Sequence, residues 1–510
     1  MLDFETWVNG LTGRQKFYFF VTVLAICIPL YLYGSSQQLA NINNRNYWVD
    51  QDAYINYARR LAESNYTYIG DFNRMPLYPY LVSFLYEDGL SEEDYFERAK
   101  VFNIGLSVAL LVMLMVVLAT SFDNLSALNL WLLAAFMIYI FKSAYIQVEL
   151  TFYTFYFFAF ILMLKLLVRP SWKLAIVTGV WLGVCHLTKN SVLPGIAILT
   201  AFLLLRVLLS RAALIGQRMN SPAMEAKSVE TDWGSINSTN KPVYFSRLRL
   251  NSLRVHSQAR AKPFGGNMGR VIQQLAPIVL LLVTFLAVIF PYIRTAKNTF
   301  GHYFYNVNTT FYIWYDSWEE AEAGVRLHGD YYQWPDMPAD EIPSPQKYLR
   351  EHSLEQIARR FIYGFYVSAQ RHTYSGGYGY IWYLLAYIGM ALWLVRRTLK
   401  SEQRIALLRK MREYRLLLLF LATFFTAYLF LFAFYVEIHP GQRFMLTLFL
   451  PAMYCLTMLL HLPIFRTLTT HIGSREVATV RVFNVVIFGA LVTHGLLNAV
   501  YAAGVIHGGG

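Results

Sequence analysis

Residues 48–63, WVDQDAYINYARRLAE, followed by residues 71–80, DFNRMPLYPY, decide how this chain folds. They come soon after the first long apolar run, about Phe17 to Tyr33. At helical spacing, Tyr54, Ile55, Ala58, Leu61 and Ala62 share one face, and Asn56, Arg59, Arg60 and Glu63 share the other. A helix of this kind lies along a membrane surface and holds Asp50 and Asp52 just outside the hydrocarbon.

Composition supports a membrane setting. The chain has 510 residues, 56% of them hydrophobic and only 15% charged, with a mean hydropathy of +0.37, which excludes an ordinary soluble domain. Repeated apolar runs of bilayer-crossing length make it polytopic. The net charge of +13 raises the question of nucleic acid. Its Lys and Arg residues, however, crowd into the loops between apolar runs, as a membrane topology requires, and no stacking platform or recognition element accompanies them. Cys27, Cys185 and Cys455 sit inside apolar runs with no metal or disulfide spacing. The first run is flanked by Arg14 and Lys16, lacks a small-residue cleavage site and reads as a retained anchor.

Working outward, a helix is predicted from Ser91, whose hydroxyl caps it with Asp94 three residues on; it continues as a span over about Val101–Thr120. Further spans are predicted at about Leu125–Phe141, Leu150–Val168, two short ones within Leu174–Ser210 that meet at a Lys189 turn, and Leu275–Phe290. The last four fall at about Tyr378–Val395, Leu416–Val436, Phe444–Leu460 and Val482–Val500. The fold expected is an all-α polytopic membrane protein, a bundle of about eleven spans with external amphipathic helices and a loop domain. Residues 1–290 form the N-terminal transmembrane catalytic module, with an external loop at 34–100 and a cytoplasmic loop at 211–270. Residues 291–377 form an external loop domain, and residues 378–510 the C-terminal spans.

Charge assigns the sides. With the N-terminus inside, VRPSWK, the 211–270 loop with ten Lys or Arg against three acids, and KSEQRIALLRKMREYR all face the cytoplasm, where anionic lipid attracts them. Asp50, Glu149, Lys189, the Tyr- and Trp-rich 291–377 segment and HPGQRF all fall outside.

Asp50 and Glu149 are thus two carboxylates at span ends on one side, able to deprotonate an acceptor hydroxyl. Together with Asp52 they could instead hold a divalent ion. Opposite them stand Arg74, Lys189, Arg294 and Arg443, the charges that a lipid phosphate requires. No P-loop, dinucleotide fingerprint, Ser/His/Asp arrangement or HExxH is present. The donor these charges imply is a membrane-soluble phosphate ester. The rival reading is a transporter or flippase of a lipid-linked or anionic substrate. Against it, the unusual charges lie at span ends rather than mid-span, and no inverted repeat is evident.

These residues resemble the multispan glycosyltransferases of the GT-C class, nearest the branch containing the lipid A aminoarabinose transferase and the protein O-mannosyltransferases. Asp50 and Tyr54 match that family's first-loop pattern, with Gln51 where Glu is frequent. Arg74 in NRMPLYP matches its basic residue before a Pro-rich turn. Glu149 resembles the acid that opens its fourth span, HLTKN its Leu-Thr-Lys turn, and HPGQRFMLTLFLP its late Arg-aromatic span start. PYIRTAKN resembles its Pro-Trp-x-x-Arg-Asn segment, with Tyr292 for Trp, Thr295 for Asn and one spacer residue fewer. The resemblance implies a catalytic base at Asp50, donor phosphate contacts at Arg74 and Lys189, and an acceptor- or ion-supporting Glu149. It further implies a polyprenyl-phosphate-linked sugar donor, an external glycan, lipid or protein acceptor, and a bacterial inner-membrane location with the site on the periplasmic or external face.

Overall fold

The computed structural model describes residues 2–41, 49–68, 70, 72–219, 267–327, 338, 340–374, 379–439 and 443–502. The chain starts with a short helix α1 (Leu2–Gly10), which the hydropathy pattern does not announce, and a long apolar helix α2 (Gly13–Asn41). Next come two helices outside the bundle, α3 (Val49–Glu63) and α4 (Leu77–Ser83). In α3 the acids Asp50 and Asp52 occupy the first turn, where the helix dipole favours them. The expected face is the buried one: Tyr54, Ile55, Ala58 and Leu61 are all covered, and Tyr57 with them.

Helix α5 (Glu92–Ser121) starts at Ser91, whose Oγ accepts from the Asp94 N–H at 3.1 Å and donates to its carboxylate at 2.6 Å. Aspartate stands at the position where a capping box has glutamate, but its carboxylate accepts from the Ser91 hydroxyl. Helix α6 (Asn124–Met137), extended by a 3-10 turn at Tyr139–Phe141, is buried along its whole length and forms the central post. Asn129 and Asn498 tie it to the last helix: Asn129 Nδ2 donates to the Asn484 carbonyl and Asn498 Nδ2 to the Phe136 carbonyl, both at 2.9 Å. Such side-chain bonds hold helices together where apolar surface alone gives no preference over lipid.

Helix α7 (Glu149–Val168) begins at the predicted carboxylate. HLTKN does split its apolar stretch, into α8 (Trp172–Thr188) and α9 (Leu193–Met219), with Lys189 in extended conformation between them. Helix α8 lies against α10 (Asn267–Phe300) more extensively than any other helix pair packs. Gly179 and Gly183 permit that approach, since a Cβ on Gly179 would lie 2.4 Å from the Leu281 carbonyl oxygen. Because α10 runs unbroken to Phe300, the domain boundary expected at 290/291 falls inside a helix, and PYIRTAKN is helical. Most of the basic 211–270 loop lies outside the described residues.

Beyond α10 come α11 (Val307–Thr310), a 3-10 turn (Tyr312–Trp314), α12 (Trp318–Leu327), α13 (Pro345–Glu351) and the longer α14 (Leu354–Tyr374). Helix α15 (Tyr380–Leu399), the basic α16 (Arg404–Glu413) and α17 (Arg415–Tyr435) follow. The chain then forms α18 (Arg443–Leu446), α19 (Phe449–Leu460) and α20 (Pro463–Arg466). A hairpin of β1 (Thr469–Ile472) and β2 (Arg475–Ala478) departs from the all-α expectation before α21 (Thr479–Ala502). Gly473 turns this hairpin at φ +60°.

Among the described residues eight helices are long and apolar enough to cross a membrane: α2, α5, α6 with its 3-10 extension, α7, α9, α10, α17 and α21. Helices α8 and α19 are apolar but shorter. The protein is an α-helical polytopic membrane protein.

Candidate active site

The first turn of α3, the segment before α4, the start of α7, the α8–α9 turn and the start of α18 meet at one end of the bundle. Asp50 Oδ1 accepts from Arg74 Nη2 at 2.9 Å, and Asp50 Oδ2 pairs with Arg443 Nη1. The same Arg443 nitrogen stands 3.7 Å from Glu149 Oε1, which Lys189 Nζ approaches to 3.6 Å. Two carboxylates and three cations thus form one continuous chain of charges. Burial pushes the Asp50 carboxyl up, but Arg443 and Arg74 outweigh it and hold the group well below the usual carboxylate range.

Aromatic rings wall the cluster. Arg74 lies over Tyr54 at 5.5 Å, and Lys189 over Phe444 at 4.6 Å and Phe152 at 5.7 Å. Tyr54 is buried edge-to-face against Tyr78, and the Tyr153 hydroxyl donates to the Arg443 carbonyl at 2.6 Å.

Gln51 has a different task from a second acid. It is fully buried, and its Oε1 accepts from the Ile146 N–H at 2.9 Å, fastening α3 to the turn before Glu149. Asp52 is exposed and contacts none of the cluster, and Arg294 is exposed on α10. The structure therefore brings together Asp50, Glu149, Arg74, Lys189, Arg443 and Tyr54, but not Asp52 or Arg294. Among the described residues no three Asp, Glu, His or Cys side chains converge as metal ligands. Asp50 and Glu149 face cations, an arrangement suited to an anion.

The sequence reading omitted three features. The first is Lys142, half-buried on the turn before α7 and within electrostatic reach of Glu149 and Arg443. Second, His439 lies near Arg443 and Asp50; burial, with Arg443 adding to it, holds its pKa down to about 4, so its ring is neutral at physiological pH.

The third is the turn at α11, which touches a neighbour of Arg74 and a neighbour of Lys189. Asn308 Nδ2 donates to the Asn73 carbonyl at 3.1 Å, beside Arg74, and Asn308 Oδ1 accepts from the Tyr435 hydroxyl at 3.1 Å. Thr309 Oγ1 accepts from Asn190 Nδ2 at 2.8 Å, beside Lys189. The Phe72 carbonyl accepts from the Val307 N–H and from Asn306 Nδ2, both at 3.0 Å. Phe72 itself holds φ at +53°, a left-handed conformation that is costly for a bulky residue. Asn-rich loop sequence alone offers no signal for such a role, because its contacts join segments more than a hundred positions apart.

One buried carboxylate oxygen, Glu149 Oε2, has no hydrogen-bond partner among the described residues, and neither has Arg443 Nε. An occupant with both a donor and an acceptor group would satisfy them. No family model, curated protein or solved structure matches this chain.

Proposed function

We propose that the protein is a GT-C-type glycosyltransferase that moves a sugar from a polyprenyl-phosphate donor to an external lipid, glycan or protein acceptor, with inversion. The observation that carries this reading is the convergence of Arg74, Lys189 and Arg443 on Asp50 and Glu149 at one end of an apolar bundle. Cations at that place suit a phosphate whose bond to a sugar is breaking. A carboxylate beside them suits removal of the acceptor proton.

In a single displacement the acceptor oxygen forms its bond to the anomeric carbon as its proton passes to Asp50. The carbon–oxygen bond to phosphate breaks, and its electron pair stays on the phosphate. Clamped by two guanidiniums, Asp50 is by itself a weak base. A donor phosphate competes for Arg74 and Arg443, and the loss of those partners raises the basicity of Asp50 when substrate is present. Glu149 Oε2 is left to orient the acceptor hydroxyl or the sugar.

Counting α8, α15 and α19 as spans beside the eight longer helices gives eleven. The site then faces outward, because the basic segments at 169–173 and 396–415 sit at the opposite end of the bundle. The location best suited to a polyprenyl-phosphate donor is the bacterial inner membrane.

The test uses purified protein in lipid nanodiscs, without an ion gradient, and a radiolabelled polyprenyl-phosphate sugar with a mixed acceptor fraction. Consumption of the donor is expected, with donor KM raised roughly tenfold or more in Arg74→Ala and Lys189→Ala, the scale of a lost charge-assisted contact. Normal turnover in both variants would reject this site. Gradient-dependent uptake without consumption would establish the transporter reading instead.

A further inference from the structure

Apart from the charge cluster, the segment between α10 and α15 holds a solvent-open pocket of about 120 Å³, walled by the rings of Trp314, Tyr315 and Tyr348. Arg360, only 4% exposed, braces this lining from within. Its Nε donates to the Phe434 carbonyl at 2.9 Å and its Nη2 to the Ile313 carbonyl at 3.1 Å. Its Nη1 donates to Asp316 Oδ1 and to the Tyr348 hydroxyl, both at 3.1 Å. His352 completes the brace: Nδ1 stands 2.8 Å from the Tyr348 carbonyl, Nε2 2.7 Å from Asp316 Oδ2, and the ring stacks on Tyr348 at 3.9 Å. The other rings are fixed as well. Trp314 packs on Tyr348 and Phe434, at 6.1 and 5.9 Å. Tyr315 meets Phe311 edge-on at 4.9 Å, and its hydroxyl fills the space that a side chain at Gly324 would need. A lining held this firmly loses little freedom when a ligand enters.

The chemistry of the lining points to a class of occupant. Asp316, Glu320 and Glu351 bring carboxylates to the pocket, and Lys347 brings an ammonium, with Arg360 behind it. An anion would face three carboxylates, and a cation would face Lys347 and Arg360. A neutral sugar residue suits every part of the lining. Its C–H faces lie on aromatic rings, its hydroxyls donate to carboxylate oxygens, and its oxygens accept from Lys347. At about 15 Å³ for each water position, the space equals roughly eight waters, room for one sugar residue and not for a longer chain.

The pocket is also tied to the charge cluster. Trp314 closes the 3-10 turn after α11, six positions beyond Asn308, which bonds Asn73 beside Arg74. Six residues reach at most about 20 Å. The Phe434 carbonyl that anchors Arg360 precedes Tyr435, whose hydroxyl donates to the same Asn308. Resting on the transferase reading, we propose that this pocket seats a neutral sugar residue of the acceptor, whose reacting hydroxyl lies at Asp50 on a neighbouring part of the same molecule. The acceptor is therefore saccharide-bearing. Contact made at the remote pocket holds the hydroxyl in register for attack, a use of binding energy away from the reacting atoms.

The experiment reads binding separately from turnover. Saturation-transfer NMR on the protein in lipid nanodiscs uses three neutral disaccharides, maltose, cellobiose and diacetylchitobiose, with choline as the cationic probe and gluconate as the anionic one. At least one disaccharide is expected to receive saturation at its C–H protons. Its Kd should rise roughly 10-fold in Trp314→Ala and in Glu351→Gln, the scale of one lost ring contact or hydrogen bond, and by less in Trp314→Phe, which keeps an aromatic face. In transfer assays the acceptor requirement should rise in Glu351→Gln while donor KM and melting temperature stay unchanged, a split that a folding defect does not produce. Silence from all three disaccharides, binding undiminished in both Trp314→Ala and Glu351→Gln, or a preference for choline or gluconate overturns the sugar pocket. Sugar transfer with an unchanged acceptor requirement in both variants leaves the transferase standing and removes this proposal. Disaccharide binding at Trp314 without any sugar transfer removes the transferase reading and the acceptor role with it, and leaves a saccharide-binding pocket.

Discussion

Arg443 and Asp50 lie 393 positions apart in the chain and form an ion pair through Arg443 Nη1, the atom that also stands 3.7 Å from Glu149. One guanidinium therefore acts on both carboxylates at once, and its removal would alter the charge state of each. This arrangement stabilises the fold and holds down the basicity of Asp50. Both effects can be measured.

The first measurement is of stability against pH. Asp50 is depressed in the folded state, so its ion pairs contribute fully above the unfolded value of about 3.9 and lose that contribution as pH falls through the lower folded value. The gap in melting temperature between wild type and Asp50→Asn should accordingly stay constant from about pH 5 to pH 8 and close below about pH 4. A gap that closes between pH 5 and pH 7 would mean that Asp50 is not clamped.

Catalysis should separate the two aspartates of α3. Asp50→Asn keeps the size of the side chain and removes its basicity, so transfer should fall roughly 10²-fold or more, the scale of general-base catalysis. Asp52 is exposed and outside the cluster, and Asp52→Asn should retain near wild-type rates. Initial rates and product stereochemistry decide the matter; retention of donor configuration would reject single displacement.

Asn308 offers a test of positioning. Asn308→Ala removes the bonds to Asn73 and Tyr435 while leaving every charged group in place. Donor KM should rise and kcat fall together, each by about 3- to 10-fold, as expected when groups that must act in concert lose register. The melting temperature should fall by only a few degrees, the effect of about 1 kcal/mol. A change in melting temperature with kinetics intact would assign Asn308 to structure alone.

Helix approach gives a fourth prediction. A side chain at Gly179 would collide with the Leu281 carbonyl and the Thr284 hydroxyl, so Gly179→Leu should force α8 from α10 and displace Lys189 at its end. Protein yield and melting temperature should drop, with a destabilisation of about 2–4 kcal/mol, in the range of severe overpacking. Gly105, with open space around its Cβ position, serves as the control, and Gly105→Leu should be tolerated.

Much of the fold was legible because membrane spans are written in hydropathy and their ends in charge. The Ser91 cap, the break at HLTKN and the amphipathic face of α3 all follow from local rules. Within the site, Asp50, Glu149, Arg74, Lys189 and Arg443 could be gathered from their places at span ends. Asp52 and Arg294 obeyed the same rule and nonetheless face away, since a helix of 3.6 residues per turn separates neighbouring positions by about 100° and a span end does not fix azimuth. Lys142 was missed because a lysine beside an apolar run reads as an interface anchor. The α11 turn was missed because the hydrogen bonds that join it to the site are long-range. Gln51 shows the same limit in another form: its amide clamps a backbone N–H that is 95 positions away in sequence.

The first helix and the last are clasped at the opposite end of the molecule. Arg481 Nε donates to Glu5 Oε2 at 2.7 Å, while Asn124 Nδ2 holds the Val8 carbonyl at 2.7 Å. Arg443, Arg481 and the asparagines of α21 are all made late, whereas Asp50, Glu5 and α6 are made early. A ribosome therefore releases Asp50 and Glu149 into the membrane hundreds of residues before their shared cation exists. Until then α6, whose every residue ends up enclosed, keeps one flank open to lipid. Closure of the bundle and assembly of the charge cluster thus both come late, and a chain stopped short of α18 would insert its early helices yet lack the cation that joins Asp50 to Glu149.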